Sequence, residues 1–126
     1  MNSVELLKAL VAFDTTSRES NLQLIEFVRD YLAGFDVPCA LIYNDERSKA
    51  NLFATIGPVD QPGIVLSGHT DVVPVDGQPW TMPPFQLTER DGVLFAVIDQ
   101  KGQSTAALIP APRLPIAAES QAERRQ

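Results

Sequence analysis

Apolar residues recur along this chain first with a helical period and then in short runs. Val4, Leu7, Leu10 and Val11 form one stripe at helical spacing, and Ser3 stands where a cap is wanted. This predicts a helix from Val4 to about Phe13. Asp14-Thr15-Thr16-Ser17 breaks it. A second helix is predicted from about Asn21 to Ala33, with Leu24, Ile25, Val28, Tyr31 and Leu32 on one face. Gln23, Glu26, Arg29 and Asp30 line the other. Both stripes read as core. Gly34 follows in the position where a left-handed closing residue is expected.

The period then shortens. Val37–Tyr43 and Asn51–Ile56 read as strands on either side of a polar turn, Asn44–Lys49. Gly57-Pro58 and Gln61-Pro62-Gly63 are turn signals. Ile64-Val65-Leu66 is continuously apolar, the pattern of a central strand covered on both faces. Residues 72–84 hold four of the ten prolines and Gly77, and read as a loop. Phe85–Thr88 and Val93–Phe95 around Asp91-Gly92 predict a tight hairpin. Asp99–Gly102 is a further turn, and Ser104 caps a short predicted helix that Pro110 ends. Helices alternating with such strands predict a layered α/β domain over 1–109, with a disordered, polar, proline-bearing tail over 110–126.

Composition narrows the classes. A chain of 126 residues is one domain at most, and 44% hydrophobic content is enough for a core. The net charge of −6 argues against nucleic acid and against an anionic membrane surface as partners. The start lacks a basic stretch leading into an apolar one, and no apolar run approaches a membrane span, so a cytoplasmic location is the default expectation. One cysteine excludes an internal disulfide. Cys39, on a predicted strand, reads as an inert buried thiol rather than a nucleophile, because no second histidine is available to pair with it.

The chemistry concentrates in Ser67-Gly68-His69-Thr70-Asp71. His69 is the only histidine, and it stands two residues before a carboxylate at the exit of the Ile64–Leu66 run. A His-x-Asp pair at a strand end can put an imidazole on a metal and a carboxylate behind it, an arrangement suited to metal-assisted hydrolysis. The plainer alternatives are a strand-end histidine and an aspartate capping its own turn. Trp80 reads as loop packing or, alternatively, as a platform for a substrate.

Residues 1 to about 95 resemble the M20 family of zinc aminoacylases and exopeptidases. The likeness is carried by Val11-Ala12-Phe13-Asp14-Thr15-Thr16-Ser17, by Lys49–Gly57 and by Leu66-Ser67-Gly68-His69-Thr70-Asp71-Val72-Val73-Pro74-Val75. Trp80, Pro83-Pro84-Phe85 and Glu89-Arg90-Asp91-Gly92 continue it. The resemblance implies the first part of a layered α/β catalytic domain with a mixed, mostly parallel sheet, truncated here. It implies hydrolysis of the amide in a small N-acyl amino acid. The cofactor it implies is zinc, as one or two ions, with cobalt as a substitute, and the intact family implies a homodimer. His69 and Asp99 would be the metal ligands, Asp99 bridging from Asp99-Gln100-Lys101-Gly102. Asp71 would take the catalytic role behind His69 by orienting its ring. Two departures stand out: Ala96-Val97-Ile98 replaces a glycine-rich approach to the bridging aspartate, and Gln100 replaces a methionine. The family's paired glutamates, a further acidic ligand and a late histidine are expected beyond Gln126. The chain on its own is therefore expected to be inactive, and the rival readings are a non-catalytic module that binds metal or another subunit, a related desuccinylase or carboxypeptidase of the same family, and the product of a disrupted gene.

Overall fold

The computed structural model describes residues 1–96, together with the backbone of Ile109 and Pro110. Helix α1 spans Ser3–Val11. Its cap is Asn2, one residue before the expected Ser3. The Asn2 side chain accepts from the Glu5 amide at 2.9 Å, and the Glu5 carboxylate accepts from the Asn2 amide at 2.8 Å. This reciprocal box satisfies two of the helix's orphan donors and is typically worth about 1 kcal/mol.

Helix α2 spans Leu22–Ala33. Asn21 precedes it without capping it, because its side-chain amide is committed elsewhere. Nδ2 donates to the Ala50 carbonyl at 2.9 Å, and the Ala50 N–H donates to Oδ1 at 3.0 Å. The helix also ends otherwise than expected. Gly34 stays right-handed at φ −64, and the left-handed residue is Asp36 at φ 58. Bonds from Phe35 to Leu32 and from Asp36 to Ala33 tighten the last turn first, which moves the reversal two residues on. Aspartate tolerates that backbone better than most side chains.

Strands β1 (Cys39–Tyr43) and β2 (Ala50–Ala54) pair antiparallel, with Leu41 opposite Leu52 and Tyr43 opposite Ala50. Both are shorter than the apolar runs that announced them. β1 starts after Pro38, which has no N–H to give a ladder. In the connecting turn the Asn44 side chain accepts from the Lys49 amide at 2.8 Å, and the Arg47 guanidinium lies 4.4 Å from the centre of the Tyr43 ring. Leu24, Ile25 and Ala50 are buried at the centre of this unit, with Leu10, Phe13, Val28, Leu41, Tyr43 and Leu52 packed around them. Helix α2 thus covers one face of the hairpin. Ile42 and Phe53 stand on the other face, exposed.

The second hairpin turns where the sequence places it. Strands β3 (Thr88–Arg90) and β4 (Val93–Phe95) are joined by Asp91 and Gly92 at φ 54 and 75, the double positive angle of the favoured two-residue turn. Its first arm begins at Thr88 rather than Phe85. β5 (Ile109–Pro110) adds to β4, also antiparallel. The predicted helix after Ser104 and the tail from 111 onward lie outside the described residues.

Two expectations need correcting. The described ladders are antiparallel, not mostly parallel, because the β1–β2 and β3–β4 connections are short and a short turn can join only antiparallel neighbours. Among the described residues the parallel pairing is a single bridge between Thr16 and Val72. Ile64-Val65-Leu66 forms no strand: these residues are 91%, 79% and 93% exposed. A strand exists only through a neighbour's hydrogen bonds, and among the described residues none lies beside this run.

Candidate metal-ligand site at His69

The site is built where the break after α1 meets the segment after Leu66. The Asp14 carboxylate accepts from the Thr16 N–H at 3.0 Å and from the Thr16 hydroxyl at 2.6 Å, folding the loop back on itself. These bonds to Thr16, the hydroxyl's first, hold the Asp14 carboxyl below the usual carboxylate range. Thr16 is thereby driven inward and is fully buried.

The folded loop then grips residues 70–72. The Val72 N–H donates to the Thr15 carbonyl at 3.1 Å, and the Ser17 N–H donates to the Val72 carbonyl at 3.0 Å, the two bonds of the parallel bridge. The Thr15 hydroxyl donates to the Thr70 carbonyl at 2.6 Å. The Ser17 hydroxyl lies 3.1 Å from Asp71 Oδ2 and 3.0 Å from the Val72 carbonyl. From the other side the Lys49 ammonium donates to the Ser17 carbonyl. The loop is also strapped outward, by Arg18 to Asp76 at 2.6 Å.

This clamp sets the geometry of the candidate residues. His69 Nδ1 lies 3.0 Å from Asp71 Oδ1 and 3.0 Å from the Asp71 carbonyl oxygen. Both of these neighbours of Nδ1 are acceptors, so Nδ1 can serve them as the donor in the neutral ring. The hydrogen bond from Ser17 holds the Asp71 carboxyl below its usual range, opposed in part by burial and helped to a lesser degree by the His69 contact. The pair is open to solvent, His69 at 64% and Asp71 at 55% of the side chain. As an ion pair it therefore adds little to stability, about 0–1 kcal/mol, and its value is geometric.

His69 and Asp71 line the mouth of two adjoining hollows. One of about 400 Å³ is walled by Leu10, Phe13, Val28 and Phe85. The other, of about 660 Å³, reaches Lys49, Asn51 and Ser67. Asp71 lies on the Nδ1 side of the His69 ring. Asp99 lies outside the described residues, which bring together no group of three His, Cys, Asp or Glu side chains able to hold a metal. The described donors thus fit one ligand of a zinc site, where a working site wants about three. Trp80 packs the loop: its indole N–H donates to the Val75 carbonyl at 2.8 Å. The Cys39 thiol is half-buried and turned toward the Val37 carbonyl, 3.7 Å away.

The roles of Asp14, Thr15 and Ser17 escaped the reading from sequence, which took this stretch as a helix break and as one carrier of the family likeness. A local signal existed in Asp14-x-Thr16, the spacing of an aspartate that caps its own turn. The grip on residues 70–72 had none, since its partners are 54 and 55 residues apart.

Residues 65–118 match peptidase family M20/M25/M40. The match takes in His69 and Asp71 and continues past Ala96, beyond the 1–95 over which the resemblance had been drawn. A probable succinyl-diaminopimelate desuccinylase of Staphylococcus epidermidis is 37% identical over 112 residues, covering 86% of this chain and 27% of the relative. An acetylornithine deacetylase of Shigella sonnei is 38% identical over 109 residues, covering 79% and 28%, and one of Pasteurella multocida is 36% identical over 108 residues, with the same coverage. The chain spans a little over a quarter of the length of these curated relatives. Over residues 65–118 it is similar to the M20/M25/M40 peptidases.

Proposed function

We propose that this chain carries one half of a metal site, with His69 binding the metal through Nε2 and Asp71 fixing its ring, in a metal-dependent hydrolase of small N-acyl amino acids. The observation that carries this is the contact of His69 Nδ1 with Asp71 Oδ1 at 3.0 Å, inside the stretch related to the M20 peptidases. A carboxylate on the second ring nitrogen is the support that metal-binding histidines generally have. Zinc is the metal in this reading, and bound zinc would polarise the acyl carbonyl and acidify a water. The remaining donors, Asp99 among the candidates, lie outside the described residues.

Acetylornithine is the proposed substrate, cleaved to ornithine and acetate, and this places the reaction in arginine synthesis and the cytoplasm. Succinyl-diaminopimelate is the rival, supported by the comparable identity of the desuccinylase. The test is zinc-dependent amine release from each compound by the protein that carries this chain. His69→Ala should abolish it, and Asp71→Asn should lower it about 10- to 100-fold. Turnover that survives His69→Ala would sink the reading.

A further inference from the structure

We propose that Ser17 is a positioning residue of this site: its hydroxyl holds Asp71 in the rotamer that faces His69, and so adds to the Asp71 carbonyl oxygen, on the same ring nitrogen, in biasing the imidazole toward carrying its proton on Nδ1. The two carboxylate oxygens of Asp71 are used from opposite sides, Oδ1 toward His69 at 3.0 Å and Oδ2 toward Ser17 at 3.1 Å. An aspartate this exposed, on a loop, has several rotamers within reach, and water competes for each. The contact with Ser17 makes one of them the best.

Ser17 can do this because its own place is fixed independently of its hydroxyl. Its N–H is bound to Val72, its carbonyl accepts from Lys49, and Thr16 beside it is fully buried. Removing the hydroxyl therefore leaves the backbone bonds of the parallel bridge in place and takes away its contacts with Asp71 Oδ2 and, at 3.0 Å, with the Val72 carbonyl. Thr15 is different: its hydroxyl goes to a backbone atom, the Thr70 carbonyl. The clamp thus has a leg that holds the backbone and a leg that aims the side chain.

The proposal takes its meaning from the reading of His69 as a metal ligand, but its readout needs neither metal nor substrate, so the two fail separately. His69 is the only histidine, so its ring nitrogens give unambiguous ¹⁵N resonances in the full chain. At a fixed pH at which the ¹⁵N shifts themselves show no imidazolium, the wild-type shifts should report a predominant Nδ1–H tautomer. Ser17→Ala should lower the ratio of Nδ1–H to Nε2–H about fivefold, the effect of losing one hydrogen bond. Ser17→Thr, which keeps the hydroxyl, should restore it, and folding is followed in the same samples by amide dispersion. Should Ser17→Ala not fold, Ser17→Cys replaces it, since a thiol keeps the volume and donates only weakly. A wild-type ring protonated mainly on Nε2, or a folded Ser17→Ala or Ser17→Cys chain with the wild-type ratio, overturns the proposal.

Discussion

The β1–β2 hairpin and the Ile64–Leu66 run are both rich in apolar residues, yet they meet opposite fates. In the hairpin, Leu41 and Leu52 face α2 and are covered, while Ile42 and Phe53 on the opposite face remain exposed. Ile64, Val65 and Leu66 are more uniformly apolar and are almost wholly exposed. Apolar content alone therefore makes neither a strand nor a core. Alternation is enough where a single helix supplies one cover, as α2 does. A run apolar on both faces needs two covers and two ladder partners, and the described residues supply neither.

The largest test of this contrast is to hollow out the covered side. Ile25, 5% exposed, sits between α2 and the hairpin, and Ile25→Ala should cost about 2–4 kcal/mol in urea unfolding. A loss below about 1 kcal/mol would mean that this unit is not the stabilising core. Next comes the tie between helix and strand. Asn21→Ala leaves the Ala50 N–H and C=O without their side-chain partner and should cost about 1–2 kcal/mol by the same measurement.

A smaller effect belongs to the polar clamp. Asp14 and Asp71 both titrate below the ordinary 3.8 when folded, so the unfolded chain binds these protons more readily. Their contribution is complete above about pH 3.8 and is lost as the pH falls below it through the folded values. Ser17→Ala removes the main cause at Asp71 and should flatten that acid limb in a circular dichroism titration. The smallest expected effect is at the uncovered run. Leu66→Ser should change stability by no more than about 0.5 kcal/mol, and a loss above 1 kcal/mol would show that this run is packed in solution.

Much of the first half was legible without coordinates. The stripe Leu24, Ile25, Val28 has one helical reading, and Asp91-Gly92 between apolar arms has one turn type, because both signals are local. Besides the unpaired Ile64–Leu66 run and the antiparallel ladders, the misses fall at helix ends and at the site. At helix ends, Asn2 displaced Ser3 and Asp36 displaced Gly34, since neighbouring positions offer nearly equal chemistry and only the realised bonds choose between them. At the site, His69-x-Asp71 announced its chemistry, but Asp14, Thr15 and Ser17 did not announce that they would hold it.

By itself the sequence determined which segments are helical, where the two hairpins turn, and that His69 and Asp71 form a candidate pair. These follow from periods, caps and turn residues that act over a few positions. Only the tertiary structure decided that Asn21 would serve Ala50 rather than its own helix, and that Ser17 would reach Asp71. Only it left Ile64–Leu66 uncovered. Each of these depends on a partner distant in the chain, and a hydrogen bond or a buried face exists only once folding has brought that partner within reach.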